Sequence, residues 1–276
     1  MELSSWWPWY EKIASAFGYT IERDREATLV LRELLSEAPP TLAKLGSLIK
    51  GKSVMVFGAG PSLEDNMAKL VSTNLDKQVV LVVADGATTA FLEQSISPHI
   101  VITDLDGCLE DIVEAGAQGS AIVIHGHGDN IDTLRKWVPK ILERSRANVF
   151  GSTQVEPIPP AVHNFGGFTD GDRGVFLAEE MKATSIILAA MDLGTTIGKY
   201  SKNLPADIQS RNSEDAWLSI KKLKLRFAKE LLEWLATWSR VKSGLFNVTG
   251  SRGETIRGFT KIDFKDLKCA STKARR

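Results

Sequence analysis

The chain has 276 residues, 43% of them hydrophobic and 25% charged, a composition ordinary for a soluble globular protein with one large domain or two modest ones. Its 34 Lys and Arg balance its 34 Asp and Glu, so the positive excess that drives most nucleic-acid binding is missing and no nucleic-acid partner is expected. With only two cysteines, Cys108 and Cys269, a disulfide framework and a cysteine zinc site are both excluded.

The start, Trp6-Trp7-Pro8-Trp9-Tyr10, is aromatic and runs into charges rather than into a small-residue cleavage site. Residues 1–50 read as a helical cap. Arg23–Ala38 places Leu29, Leu31, Leu34 and Leu35 near helical spacing until Pro39-Pro40, and Thr41–Ile49 forms a shorter helix closed by Gly51. The aromatic cluster is expected to anchor this cap on the next domain; a cofactor platform is the alternative, and self-association to a homo-oligomer is left open.

From Ser53 the rhythm changes. Ser53–Phe57, Val79–Ala84, Ile100–Thr103 and Ala121–His125 are short β-branched runs, each followed by turn residues and a helical stretch. Such alternation argues for a parallel α/β sheet, and the unbroken apolar run Val79–Ala84 suits a strand covered on both faces. Neither it nor Ile186–Met191 approaches the roughly 20 residues that span a bilayer, so a cytoplasmic protein without membrane contact is expected. Gly151–Gly174 is expected to be a long functional loop, and Ser185–Met191 a further strand. Residues 215–241 form the longest helix, with Ile220, Leu223, Phe227, Leu231, Trp234, Leu235 and Trp238 on one stripe. Lys221, Lys222, Lys224, Arg226 and Lys229 form its other face, by default solvated, with one or two of them able to face phosphate. Residues 51–264 are expected as the α/β domain with a short β-rich finish, and 265–276 as a disordered basic tail.

Four motifs carry chemistry. In Gly58-Ala59-Gly60-Pro61-Ser62-Leu63 the glycines allow a tight turn, and the helix that follows offers free N–H groups to an anion. The third glycine of a dinucleotide fingerprint is absent, since Leu63 stands there. Ala84-Asp85-Gly86 would bind ribose in a nicotinamide enzyme, but the adjacent glycine points instead to a group lying close to the backbone. In Thr103-Asp104-Leu105-Asp106-Gly107, two carboxylates two residues apart on an extended chain face the same side; the bland alternative is an N-cap at Asp106. In His125-Gly126-His127-Gly128-Asp129-Asn130 the same spacing groups His125, His127 and Asp129, while Asp129 or Asn130 could simply cap a helix.

Open α/β sheets bind ligands at the carboxyl ends of their strands, where Asp85, Asp104, Asp106, Asp129 and Asp192 all fall. Two carboxylates about 4 Å apart repel by on the order of 1 kcal/mol in water and about 4 kcal/mol at an effective dielectric near 20. Such crowding calls for a cation. Carboxylate oxygens select a hard ion such as Mg²⁺, which combines one or two of them with substrate phosphates. The histidines leave zinc as the alternative.

Taken in order, Gly-Ala-Gly-Pro-Ser-Leu (58–63), Ala-Asp-Gly (84–86), Thr-Asp-Leu-Asp-Gly (103–107) and His-Gly-His-Gly-Asp-Asn (125–130) resemble the archaeal, MptE-like 6-hydroxymethyl-7,8-dihydropterin pyrophosphokinases. Gly-Gly-Phe-Thr-Asp-Gly-Asp-Arg (166–173) and Met-Asp-Leu-Gly (191–194) extend the likeness, and Gly126 departs from the alanine that the family pattern expects. The Asp-Gly and Asp-x-Asp elements are also similar to those of thiamine pyrophosphokinase, and the glycine turn to that of sugar-transferring proteins of flagellin glycosylation. A nucleotide-sugar glycosyltransferase and a non-catalytic nucleotide-binding protein are therefore the alternatives.

The fold expected from these elements is α/β, a parallel-sheet Rossmann-like core with a helical N-terminal cap and a long C-terminal helix, and the resemblance runs from about Gly51 to that helix. The resemblance implies transfer of diphosphate from ATP to a reduced pterin, with release of AMP. On that reading Asp104 and Asp106, with Asp85 or Asp129, hold Mg²⁺ on the triphosphate, and Gly58, Gly60, Pro61, Ser62 and Gly86 face the nucleotide. His125 or His127 orients the hydroxymethyl group. A flat slot for the pterin draws on Phe168, Asp170 and Asp172, then Asp192; the bland alternative makes Asp172 a helix cap. Arg173 and Lys199 are candidate phosphate contacts.

Overall fold

The computed structural model describes residues 1–37, 41–145, 148–201, 211–250 and 253–267. Three helices open the chain: α1 (Leu3–Phe17), α2 (Ile21–Leu34) and α3 (Leu42–Ile49). Strands and helices then alternate as β1 (Ser53–Phe57), α4 (Leu63–Ser72), β2 (Val80–Ala84), α5 (Asp85–Glu93), β3 (Ile100–Thr103), α6 (Leu109–Ala117), β4 (Ala121–Gly126), α7 (Ile131–Ser145) and β5 (Val149–Thr153). A two-residue strand β6 (Val162–His163), α8 (Asp170–Glu180), β7 (Ser185–Ala189), α9 (Arg211–Trp238), β8 (Leu245–Asn247) and β9 (Thr260–Lys261) complete the order.

The nine strands of the described residues join one parallel sheet in the order β6-β5-β4-β3-β2-β1-β7-β8-β9. Every residue of β1, β2, β3, β4, β5 and β7 is buried, which explains their unbroken apolar sequences: both faces are covered. The two-residue period still sorts them. Val54, Val56, Val80 and Val82 share a core with α1, α3, α8 and α9, while Met55, Phe57, Leu81 and Val83 face α4 and α5. The chain runs outward from β1 to β6, returns through α8, and adds β7 on the other side of β1. The order therefore reverses between β1 and β7, and a crevice opens there at the carboxyl ends.

Trp6, Tyr10 and Ile13 lie three and four residues apart on α1 and are all buried in the sheet's own core; Trp6 Nε1 donates to the Gln154 carbonyl at 2.8 Å. The expected anchoring role of the aromatic start is met in this way. On α2, Leu31 and Leu35 are buried but Leu29 is exposed, because it lies about 200° round the helix from Leu31.

The expectation of a long loop over Gly151–Gly174 is corrected. That stretch contains most of β5, all of β6 and the first turn of α8; its glycines serve close packing, as at Gly151, where a Cβ would meet the Ala161 carbonyl at 2.7 Å. The last helix runs over Arg211–Trp238 rather than 215–241, and its apolar stripe is buried only from Phe227 onward, with Ile220 exposed. Residues 264–266 form a 3₁₀ turn and Leu267 is buried, so the expected tail does not begin at 265. Pro39-Pro40, Cys269 and the stretch Lys268–Arg276 expected as a tail lie outside the described residues. No described helix is long and apolar enough to cross a membrane.

Candidate active site

A cleft of about 830 Å³ opens at the carboxyl ends of β1, β2, β3 and β7. Its floor is the Gly58–Pro61 turn, Ala84–Gly86, Asp104 with Asp106–Cys108, and Ala190–Leu193; Phe168–Gly171 and one side of α9 close it.

Three carboxylates converge there. Asp85, Asp104 and Asp106 each present an oxygen within 4.8 Å of the others. Asp85 starts α5, where its charge suits the helix N-terminus, and its Oδ2 accepts from Thr103 Oγ1 at 2.5 Å and from the Gly107 N–H at 3.2 Å. A Cβ at Gly107 would fall 2.0 Å from Asp85 Oδ1, so only glycine lets this loop close on the carboxylate.

The Asp-x-Asp pair converges for a different reason than expected. Strand β3 ends at Thr103, and Leu105 takes a left-handed backbone with φ 63°. A tight turn, not the strand pleat, swings both aspartates inward. Such a conformation costs a non-glycine residue about 1–3 kcal/mol; burial of the Leu105 side chain and the bond from its N–H to Thr103 Oγ1 at 2.8 Å oppose that cost. The N-cap alternative for Asp106 does not hold, because α6 begins later, at Leu109 after Cys108.

Electrostatics separates the acids. Burial, with repulsion from Asp104 and Asp106, pushes the Asp85 carboxyl up to about 7 against its bond to Thr103. Burial also disfavours the charge on Asp104, but His127 and the charges of Arg173 and Lys224 outweigh it and hold that carboxyl well below the usual range. Asp170, at the start of α8, is a fourth acid of the cleft; burial, then Asp104, raises its carboxyl well above normal.

Two of the oxygens, Asp85 Oδ1 and Asp104 Oδ1, are buried with no hydrogen-bond partner among the described residues. Unsatisfied, converging carboxylate oxygens fit a hard divalent cation. The converging set contains no histidine, which speaks against zinc.

The histidines stand behind this set. His127 Nε2 lies 3.6 Å from Asp104 Oδ2. His125 is buried, with Nδ1 3.1 Å from Ser152 Oγ, and burial together with Arg173 and His127 lowers its pKa well below the ordinary 6.5. Neither ring lines the cleft, and Asp129 is an exposed side chain outside it. Asn130 is a staple rather than a simple cap: its Nδ2 donates to the Asp104 and His125 carbonyls at 2.7 and 2.8 Å, and its Oδ1 accepts from the His127 N–H. Helix α2 grips the same loop. Asp24 Oδ1 accepts from the Gly128 N–H at 2.8 Å, and Arg23 donates to the Gly128 carbonyl.

The glycine turn is tighter than its sequence suggests. The N–H groups of Gly58 and Gly60 donate to the Ala189 and Ala190 carbonyls. Asp192 Oδ2 accepts from both the N–H and the Oγ of Ser62. Thus three of the N–H groups expected to face an anion are already engaged, and Asp192 occupies the start of α4. Asp172 uses both oxygens in a capping box with Phe168 and Thr169, the bland alternative raised for it. Arg173 is buried outside the cleft, donating to Asp170 at 3.2 Å, and Lys199 pairs with Glu64 at 3.0 Å.

Of the wall contributed by Trp217, Ile220, Lys221, Lys224 and Leu225 of α9, the sequence offered the lysines, one or two of which were open to facing phosphate, but not Trp217, Ile220 or Leu225. The signal for these was an apolar stripe too long for the core it joins, with Ile220 left over.

The model of the MptE-like 6-hydroxymethylpterin diphosphokinases matches residues 30–198, more than half of the chain and every strand-end motif of the cleft. The chain belongs to this family. It is 44% identical over 250 residues to the 6-hydroxymethyl-7,8-dihydropterin pyrophosphokinase of Pyrococcus furiosus, covering 90% of this chain and all of that protein. Proteins of the same name from Methanothermobacter thermautotrophicus and Methanocaldococcus jannaschii are 38% and 40% identical, each over 85% of this chain and 95% and 96% of their own lengths. A Maf glycosyltransferase from Magnetospirillum magneticum AMB-1 superposes with a TM-score of 0.56 over 91% of this chain and 41% of its own. At 13% identity that likeness concerns the fold alone.

Proposed function

We propose that the protein transfers diphosphate from ATP to the hydroxymethyl oxygen of 6-hydroxymethyl-7,8-dihydropterin and releases AMP, a step toward folate or tetrahydromethanopterin. The observation that carries this reading is the convergence of Asp85, Asp104 and Asp106 in a cleft large enough for a nucleotide and a bicyclic acceptor, in a member of this family. In the reaction the acceptor oxygen bonds to the β-phosphorus. The bond from that phosphorus to the oxygen bridging it to the α-phosphate breaks, its electron pair leaves with AMP, and the hydroxyl proton passes to solvent.

Asp104, Asp106 and Asp85 would hold Mg²⁺, which neutralises charge on the phosphate oxygens when bound. The residues of the chain do the positioning. His127, 3.6 Å from Asp104, fixes that carboxylate and keeps it ionised, and His125, neutral and enclosed, supports the His127 loop from behind. Both act on the site through Asp104 rather than as bases on the hydroxyl group. Gly86 and the Gly58–Pro61 turn supply a close backbone surface for the nucleotide. For the pterin, Phe168 and Asp170 line the cleft together; the Asp170 carboxyl, raised well above its ordinary range by burial and by Asp104, would offer its oxygens to the ring edge.

The deciding experiment incubates the protein with ATP, Mg²⁺ and the reduced hydroxymethylpterin. AMP and the pterin diphosphate are expected in equal amounts. ADP would indicate an ordinary kinase, and AMP formed with thiamine but not with the pterin would overturn the acceptor.

A further inference from the structure

Among the described residues five acids line the cleft, Asp85, Asp104, Asp106, Asp170 and Asp192, the last of them engaged by Ser62. A magnesium triphosphate is itself anionic, so a single divalent ion leaves the assembled site with excess negative charge. Cations of the protein have to meet the phosphates from another direction. Among the described residues three lysines line the cleft: Lys199, Lys221 and Lys224. Lys199 is turned to Glu64 and the Tyr200 hydroxyl, at 3.0 and 3.1 Å. Lys221 lies over the Trp217 ring, 5.4 Å from its centroid.

Lys224 is placed differently. It sits one helical turn before Phe227, where α9 becomes anchored through buried Phe227, Ala228, Leu231, Leu232 and Leu235, so its backbone position is fixed. Its ammonium lies 6.0 Å from the Phe168 ring centroid, two residues from Asp170, and its charge is felt at Asp104. The half of α9 on its N-terminal side departs from the core, exposing Ile220 and presenting Trp217, Ile220, Lys221 and Lys224 to the cleft. A helix that abandons apolar burial to face a polar cleft is held there for what it contributes. It also lies beyond residues 30–198, so the motifs of the family model do not report on it.

We propose that Lys224 binds the triphosphate from the side opposite Asp85, Asp104 and Asp106, contacting oxygens of the phosphoryl group under transfer. The C-terminal helix is then half of the catalytic cleft rather than a buttress. A lysine suits this position as a compact charge with three donors that follow phosphate oxygens as they move. Its contribution is largest in the transition state, where charge is spread over the oxygens of the phosphoryl group in flight.

This inference rests on the diphosphate-transfer reading, and two arms keep them apart. In the first, AMP release is measured for the wild type, Lys224→Met and Lys224→Arg with Mg²⁺ and the pterin. Lys224→Met should lower kcat/KM for ATP about 100-fold with its melting temperature unchanged and its KM for the pterin little altered, and Lys224→Arg should recover much of the loss. Lys224→Met working within twofold of an active wild type would overturn the proposal. In the second arm, α,β-methylene ATP with Mg²⁺ is titrated into the same proteins, which requires no turnover. Binding at least tenfold weaker in Lys224→Met supports the proposal; equal binding overturns it. A wild type that binds the analogue but releases no AMP would sink the function reading while leaving the second arm to decide Lys224.

Discussion

His125 is held neutral in a buried position beside Arg173 and His127, and this gives stability a defined response to pH. Its folded pKa lies below the ordinary 6.5, so the unfolded chain takes up a proton first as acid is added. Stability from this group is therefore intact above 6.5 and falls as the pH drops below it, by about 1.4 kcal/mol per unit. Urea unfolding at pH 7.5 and 5.5 should show this loss, and His125→Asn should flatten it. Equal slopes for the two proteins would show that His125 titrates normally. At this scale the sequence disclosed residue types well and geometry less well. Asp104 and Asp106 stood out as a pair, but their convergence depends on the left-handed turn at Leu105, and leucine gives no hint of one. Asp172 and Asp170 were both candidates for the pterin slot, with a cap as the alternative for Asp172; the capping box takes that one and the cleft the other. That division follows from where α8 begins, one residue after Thr169.

At the scale of elements, the junction of β1 and α4 with β7 is the tightest part of the site. The Gly60 N–H donates to the Ala190 carbonyl at 2.9 Å, and Asp192 bridges to Ser62. A Cβ at Gly60 would lie 2.0 Å from Asp192 Oδ2 and 2.6 Å from the Ala190 carbonyl, the latter backbone that cannot rotate away. Gly60→Ala should therefore cost about 1–3 kcal/mol by denaturant unfolding and reduce AMP release as β7 is pushed from β1. Unchanged stability would mean that the turn has slack. The glycines were legible as a demand for close approach, but not what approaches. Asp192 lies 130 residues away in the chain, and nothing local records that it fills the anion position at the head of α4. The parallel strands were legible because burial on both faces leaves an unmistakable apolar run. Strand β6, two residues long beside prolines and glycines, leaves none.

Across the whole molecule, the reversal of strand order between β1 and β7 opens the cleft, and α9 closes it from 110 residues or more beyond the carboxylates. The α/β architecture, the helical start and the long last helix were all readable from periodicity. The partnership of α9 with the cleft was open only as a phosphate-facing lysine or two, since a helix carries the same 3.6-residue stripe whether it covers a core or a ligand. The N-terminal helices act at a distance as well: Asp24, which also accepts from Tyr10 and Gln154, grips the Gly128 peptide, whose neighbour His127 steadies Asp104. The fold thus converges on three carboxylates that could hold a divalent ion.

Binding of Mn²⁺, a paramagnetic substitute for Mg²⁺, tests this most directly when followed by electron paramagnetic resonance with α,β-methylene ATP present. The wild type should bind the ion saturably, and Asp104→Asn and Asp106→Asn should each bind it at least tenfold more weakly while melting no lower than the wild type in metal-free buffer. Both variants binding Mn²⁺ as tightly as the wild type, or both unfolding without it, would contradict the account.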